Sequence, residues 1–245
     1  MKINSRILGG VAAVALLQFA TSNAFALGGT LSSLTRTAGG YYSGNGGEFT
    51  ITGSGLDLSG YVGGANGTSL TSDSFQTFCI ETDEHTFSGS GDYYVNDRAV
   101  NGGSNIPGPG FDKLSVGTAW LYSQFAQALW SSYTYTAGAG RVTSAGDLQN
   151  AFWMLEGEIP WVGSNPFLVV VLAALLTDQT GAQSNAATGE YGVYALNITK
   201  DGAVAQDQLY YNPNGLLVPD GGLSLVLLGM SLSGLALLRR RYQAA

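Results

Sequence analysis

The sequence predicts an α+β fold: a mostly-β domain, sandwich- or barrel-like, with an inserted section of two to three helices, plus an N-terminal signal peptide and a C-terminal transmembrane helix. Three observations carry this. Short segments of period-two alternation stand at both ends of the central region. Between them the apolar spacing switches to that of helices. Each end of the chain carries an apolar run with basic residues beside it.

The elements follow in order. Glu48-Phe49-Thr50-Ile51-Thr52 and Ser74-Phe75-Gln76-Thr77-Phe78-Cys79-Ile80 alternate as strands do. Gly44-Asn45-Gly46 and Asn66-Gly67 read as turns, Tyr93 to Val95 as a short strand, and Asn101 to Gly110, with two prolines, as a loop. Val116, Ala119, Trp120, Phe125, Ala128 and Leu129 fall at helical spacing. A second helix is expected from Ser144, with Ser144 and Asp147 as a capping box and Leu148, Ala151, Phe152 and Leu155 as its apolar face. Asn165 and Pro166 read as N-cap and first residue of a third, core helix running through Phe167 to Leu176. Tyr191 to Thr199, a Lys200-Asp201-Gly202 turn and Ala203 to Tyr211 predict a hairpin.

The two ends read as addresses. Lys2 and Arg6 precede an apolar stretch from Ile7 to Ala20, and Ala24-Phe25-Ala26 fits signal peptidase, so residues 1–26 are expected to be a signal peptide. At the other end, residues 218–245 hold Val218-Pro219-Asp220-Gly221-Gly222, an apolar run from Leu223 to Leu238, and Arg239-Arg240-Arg241. As a helix the run 223–238 spans about 24 Å, a little short of a hydrocarbon core of about 30 Å. The three arginines would act as a membrane stop with a cytoplasmic C-terminus. This tail resembles the PEP-CTERM class of bacterial sorting signals in its Val-Pro-Asp-Ser-Gly variant. The resemblance implies recognition by an exosortase-type processing enzyme, anchoring in the inner membrane before processing, and a destination at the cell surface or in the extracellular matrix.

The body, residues 27–217, is long enough for one domain with a real core. It has five basic residues against 16 acidic ones, a net of −11. An acidic exported body argues against nucleic acid and against anionic lipid as partners. Low charge with abundant Gly, Ser, Thr and Tyr suits an extracellular setting and an extracellular polysaccharide as a partner.

Cys79 is the chain's single cysteine. An internal disulfide is therefore excluded, and the thiol either packs as a small hydrophobe, pairs with another chain or is used chemically. The stretch Phe78-Cys79-Ile80-Glu81 and the helix Leu148-Gln149-Asn150-Ala151-Phe152-Trp153 together resemble the thioester domains of bacterial surface adhesins. The resemblance covers Phe75 to Glu158. It implies an internal thioester, with sulfur from Cys79 and the acyl carbon from Gln149, shielded by Phe78, Phe152 and Trp153. Such a bond would trap an amine-bearing surface ligand. Leu148 stands where those domains carry Thr, and Phe152 where they carry Ile.

Other patterns carry less. Asp83, Glu84 and His85 are sequential, so on a strand they face opposite sides and read as a solvated edge rather than as metal ligands. Glu156 and Glu158 do not make a glycosidase pair at their spacing. The chain holds no zinc spacing and no phosphate loop ahead of a helix. Tyr41-Tyr42, Tyr93-Tyr94 and Tyr133/Tyr135 read as exposed platforms for a polysaccharide. No cofactor, metal or catalytic residue is expected, and the body reads as non-enzymatic.

Overall fold

Antiparallel pairing carries the fold of the computed structural model. It describes residues 28–35, 41–43, 46–63, 67–85, 89–101 and 110–216. The expected signal peptide (1–26), sorting motif (218–222), apolar run (223–238) and Arg239 to Arg241 lie outside the described residues, as do residues 44–45, 66 and 102–109 of the expected turns and loop. Among the described residues no helix is long and apolar enough to cross a membrane.

The strands are β1 (Gly28–Thr35), β2 (Tyr42–Ser43), β3 (Gly46–Gly47), β4 (Phe49–Gly53), β5 (Ser69–Thr71), β6 (Ser74–Thr77), β7 (Gly91–Asn96), β8 (Arg98–Val100) and β9 (Phe111–Lys113), followed after the helices by β10 (Val193–Lys200) and β11 (Ala203–Tyr211). The helices are α1 (Val116–Ala126), α2 (Ala139–Leu155), α3 (Pro166–Leu175) and α4 (Gln179–Ala182), all inserted between β9 and β10. Mixed strands and helices in this order make an α+β chain. Seven strands form one sheet in the order β11-β10-β7-β1-β4-β6-β5, and β2-β3 and β8-β9 are separate ribbons.

The sheet curls until its far strands meet. Residues 78–80 continue β6 and bond to β11: the N–H of Ile80 donates to Asp207 O (3.1 Å) and that of Leu209 to Phe78 O (3.1 Å), with a bridge between Cys79 and Gln208. The hydroxyl of Thr77 adds a bond to Leu209 O. This is a barrel-like closure within one sheet rather than the two facing sheets of a sandwich. The helical section packs on it through aromatic rings. Phe78 meets Phe125 edge-on at 4.9 Å and Phe152 at 5.2 Å, and Tyr122 reaches across to Gln76 O (2.9 Å).

Several expectations hold. Asn165 caps α3 by accepting from the N–H groups of Phe167 and Leu168, and Pro166 opens the helix. The β10–β11 hairpin turns at Asp201 and Gly202, both at positive φ, the backbone of a two-residue hairpin turn. Its first strand starts at Val193, because Glu190–Gly192 is a 3₁₀ turn.

Others are corrected. α2 starts at Ala139, not near Ser144, and its N-cap Gly138 has no side-chain cap. Ser144 lies inside the helix and accepts from the N–H of Thr134, so it forms no capping box. α1 ends at Ala126 rather than Leu129, where Ala128 takes a positive φ. α3 buries only Phe167, Leu168 and Val171, while Val169 is 54% and Leu176 92% exposed, so it is a surface helix with one buried stripe rather than a core helix.

The early start of α2 has a cause far away in the chain. Arg141 is fully buried, and its Nε and Nη2 donate to Glu48 Oε1 (2.8 Å) and Oε2 (2.9 Å). It also donates to the carbonyls of Tyr135 and Gly67 and lies over the Tyr41 ring at 4.3 Å. Glu48 accepts a further bond from Tyr133. Burial raises the Glu48 carboxyl, and the bonds from Arg141 and Tyr133 oppose that rise. Arg141→Leu would leave Glu48 buried without its counter-charge. Denaturant unfolding should show a loss of about 3–5 kcal/mol; a loss within experimental error would mean that the pair is dispensable.

A second buried carboxyl makes stability depend on pH. Glu156 accepts from the N–H (3.1 Å) and hydroxyl (2.9 Å) of Ser115, the N-cap of α1, and its burial pushes its pKa to about 7. The folded state therefore holds this proton more tightly than the unfolded chain, whose carboxyl titrates near 4.5. Stability should be highest below that value and fall as pH rises towards about 7. Glu156→Gln should flatten this part of a melting-temperature-versus-pH curve.

Candidate functional site

The expected pair Cys79 and Gln149 is brought together at the seam. Register explains how. Phe49 pairs with Thr77 across β4 and β6, and continuing the ladder would set Gly47 opposite Cys79. The strands instead part there, and the Gln149 side chain enters the gap from α2. The N–H of Cys79 donates to Gln149 Oε1 (3.0 Å), and Gln149 Nε2 donates to the carbonyl of Cys79 (2.9 Å). The N–H of Gly47 also points to Oε1, at 3.4 Å. One side-chain amide thus does for Cys79 what a neighbouring strand's peptide group would do.

Glycine makes the gap possible. A Cβ on Gly46 would overlap Gln149 Cγ and come within 2.8 Å of Trp153 Cη2 and 3.0 Å of Gln149 Cδ. Gly47 takes a φ of +142°, a backbone that side chains disfavour. The turn expected at residues 44–46 does not by itself reveal this role. The signal was present in the Gly46-Gly47 pair, but only the helix partner gives it meaning.

The surroundings are dry. Cys79 and Gln149 are buried, as are Phe78, Phe152 and, nearly so, Trp153. Trp153 Nε1 donates to the carbonyl of Glu81 (3.2 Å), which also accepts from Gln206 Nε2 (2.8 Å). Gln208 Nε2 lies 3.5 Å from Cys79 Sγ, while Gln208 Oε1 is buried without a hydrogen-bond partner. Chemically, the site holds a carboxamide seated on the backbone of a buried cysteine, its oxygen facing two backbone donors, in a water-poor setting. Two donors on one carbonyl oxygen are what stabilises negative charge on that atom.

The other candidates separate. Glu156 holds Ser115, the N-cap of α1, whereas Glu158 accepts from the N–H (3.1 Å) and hydroxyl (3.0 Å) of Thr82, so the two glutamates serve different elements. Asp83, Glu84 and His85 lie outside any strand, with Asp83 and His85 exposed and Glu84 half-buried. The tyrosine platforms are corrected in part: Tyr93 and Tyr133 are buried, whereas Tyr41, Tyr94 and Tyr135 are half-buried, Tyr41 beneath Arg141. The two buried rings serve the core through their hydroxyls, Tyr133 bonded to Glu48 and Tyr93 to the carbonyl of Ser54.

Gln149→Leu keeps the volume but removes the two hydrogen bonds between the amide and the Cys79 backbone. Unfolding should show a loss of about 0.5–1.5 kcal/mol for each hydrogen bond lost. An unchanged midpoint would mean that the gap closes and the strands re-pair without the amide.

Comparison with known proteins bears on the tail alone. Residues 218–242 match the family described as VPDSG-CTERM motif. No curated protein and no solved structure matches the chain. The chain therefore carries a PEP-CTERM-like sorting signal at its C-terminal end, a motif that points to export, membrane-associated sorting and processing by an exosortase-type enzyme.

Proposed function

We propose that this chain is an exported, non-enzymatic protein of the cell surface or extracellular matrix, and that its body holds partners covalently through an internal thioester between Cys79 and Gln149. The observation that carries the reading is the amide of Gln149 seated on the backbone of Cys79, with Oε1 facing the N–H groups of Cys79 and Gly47. In the bond-forming step Cys79 Sγ attacks Gln149 Cδ. The charge that develops on Oε1 is held by those two N–H groups. The C–N bond then breaks, Nε2 leaves as ammonia carrying the thiol proton, and a thioester remains. An amine on a partner would later take the acyl group and release the thiol. Phe78, Phe152 and Trp153 would keep water from competing. Signal peptidase and an exosortase-type enzyme would process the two ends.

The alternative is a structural or polysaccharide-binding matrix component in which Gln149 serves only as the strand substitute for Cys79. Burial of Tyr93 and Tyr133 takes two of the expected platform rings away from solvent.

Mass spectrometry of the purified protein separates the two. The thioester form is lighter than the sequence by one ammonia, and methylamine adds at Gln149 with release of an alkylatable Cys79. Cys79→Ala should have full mass and take up no methylamine. Wild-type protein at full mass, unreactive to methylamine, would leave only the structural role.

A further inference from the structure

Next to the seam, three carboxylates converge from distant parts of the chain. Glu81 follows Cys79 by two residues, Glu84 lies three residues further on, and Asp207 is on β11. One oxygen from each lies within 4.8 Å of the others. Their environments differ. Asp207 accepts from the N–H groups of Val100 (2.6 Å) and Ile198 (3.2 Å) and from Asn197 Nδ2 (2.6 Å). Glu84 is half-buried and accepts from the N–H of Asp207 (3.3 Å). Glu81 is 1% exposed, and neither of its side-chain oxygens meets a hydrogen-bond donor.

Burial first, and then the acidic neighbours Asp207, Glu84 and Glu158, raise the Glu81 carboxyl well above the ordinary range. Glu158 is itself engaged by Thr82, and Asp83 and His85 face solvent. A buried carboxylate in such company needs either a proton or a cation. A proton shared between Glu81 and Glu84 would supply one oxygen of Glu81 and leave the other without a partner. A cation can engage both oxygens at once.

We propose that Glu81, Glu84 and Asp207 form a calcium site that ties the segment after Cys79 to β11. The mutual spacing suits oxygens standing about 2.3–2.6 Å from one shared ion. An all-carboxylate set that includes a fully buried member favours calcium over magnesium, which keeps much of its water. For an exported body, the matching affinity is that of extracellular calcium modules, about 0.1–1 mM. The site does not depend on the Cys79–Gln149 bond, so its test is separate from the mass measurement above.

Terbium, a calcium substitute with luminescence sensitised by nearby indole, is the probe, since Trp153 bonds to the carbonyl of Glu81. The full chain in detergent should give sensitised emission that calcium displaces and magnesium does not. Calcium should also raise its melting temperature relative to the protein in chelator. Glu81→Gln should weaken terbium binding by roughly tenfold or more and abolish the calcium-dependent shift in melting. Glu84→Gln, at a half-exposed position, provides the same comparison should the Glu81 variant not fold. Emission that calcium fails to displace, or that both variants retain, would overturn the site. So would calcium-independent melting in wild-type protein with a more stable Glu81→Gln, the result expected of a shared proton.

Discussion

The buried pair of Arg141 and Glu48 is the constraint on which the rest of the molecule depends. Taking two ions out of water is costly, and attraction offsets that cost only when geometry and further hydrogen bonds are good. Here the guanidinium meets the carboxylate through two nitrogens, and its other donors reach the Tyr135 and Gly67 carbonyls. The pair fixes the first turn of α2 against the residue that opens β4. Glu48 is adjacent to Gly47, so the same contact sets where the β4 ladder breaks off. Gln149 lies about 12 Å further along the helix axis and enters the break.

How much of this was legible follows from how local each signal is. The cap of α3 and the β10–β11 turn were readable because their physics is contained in a few consecutive residues, Asn165-Pro166 and Asp201-Gly202. The start of α2 was not. Gly138, Ala139 and Gly140 look like loop chemistry, and what holds a helix start at Ala139 is a carboxylate 93 residues from Arg141. The tyrosines misled for a related reason: the pattern that suggested exposed platforms does not show that Tyr133 and Tyr41 surround that same ion pair. At the site, Cys79 and Gln149 were found through a resemblance, whereas the glycines that admit Gln149 were not. The convergence of Glu81 and Glu84 with Asp207 was invisible, because β11 returns to the seam only after the whole helical insertion.

Under the proposed thioester reading, the amide of Gln149 would have two roles that pull in different directions. As a substitute strand it satisfies both backbone groups of Cys79, and buried backbone groups are seldom left unsatisfied. As a reactant it would lose Nε2, and with it the donor to the Cys79 carbonyl. The oxygen and its two N–H donors would survive the change. The arrangement is thus one in which the polarising contacts belong to the carbonyl and the expendable contact belongs to the leaving group.

The closure at residues 78–80 also sets a load path. β11 bonds to that segment on one side and to β10 on the other, and it is the last strand before the C-terminal tail. Tension along the chain beyond Tyr211 would pull β11 lengthwise between these two neighbours. Hydrogen bonds that run across a strand then share the force and must yield together, rather than opening one after another as in a peeled edge. A load on the C-terminal end would thus reach the Cys79 segment through this sheared strand.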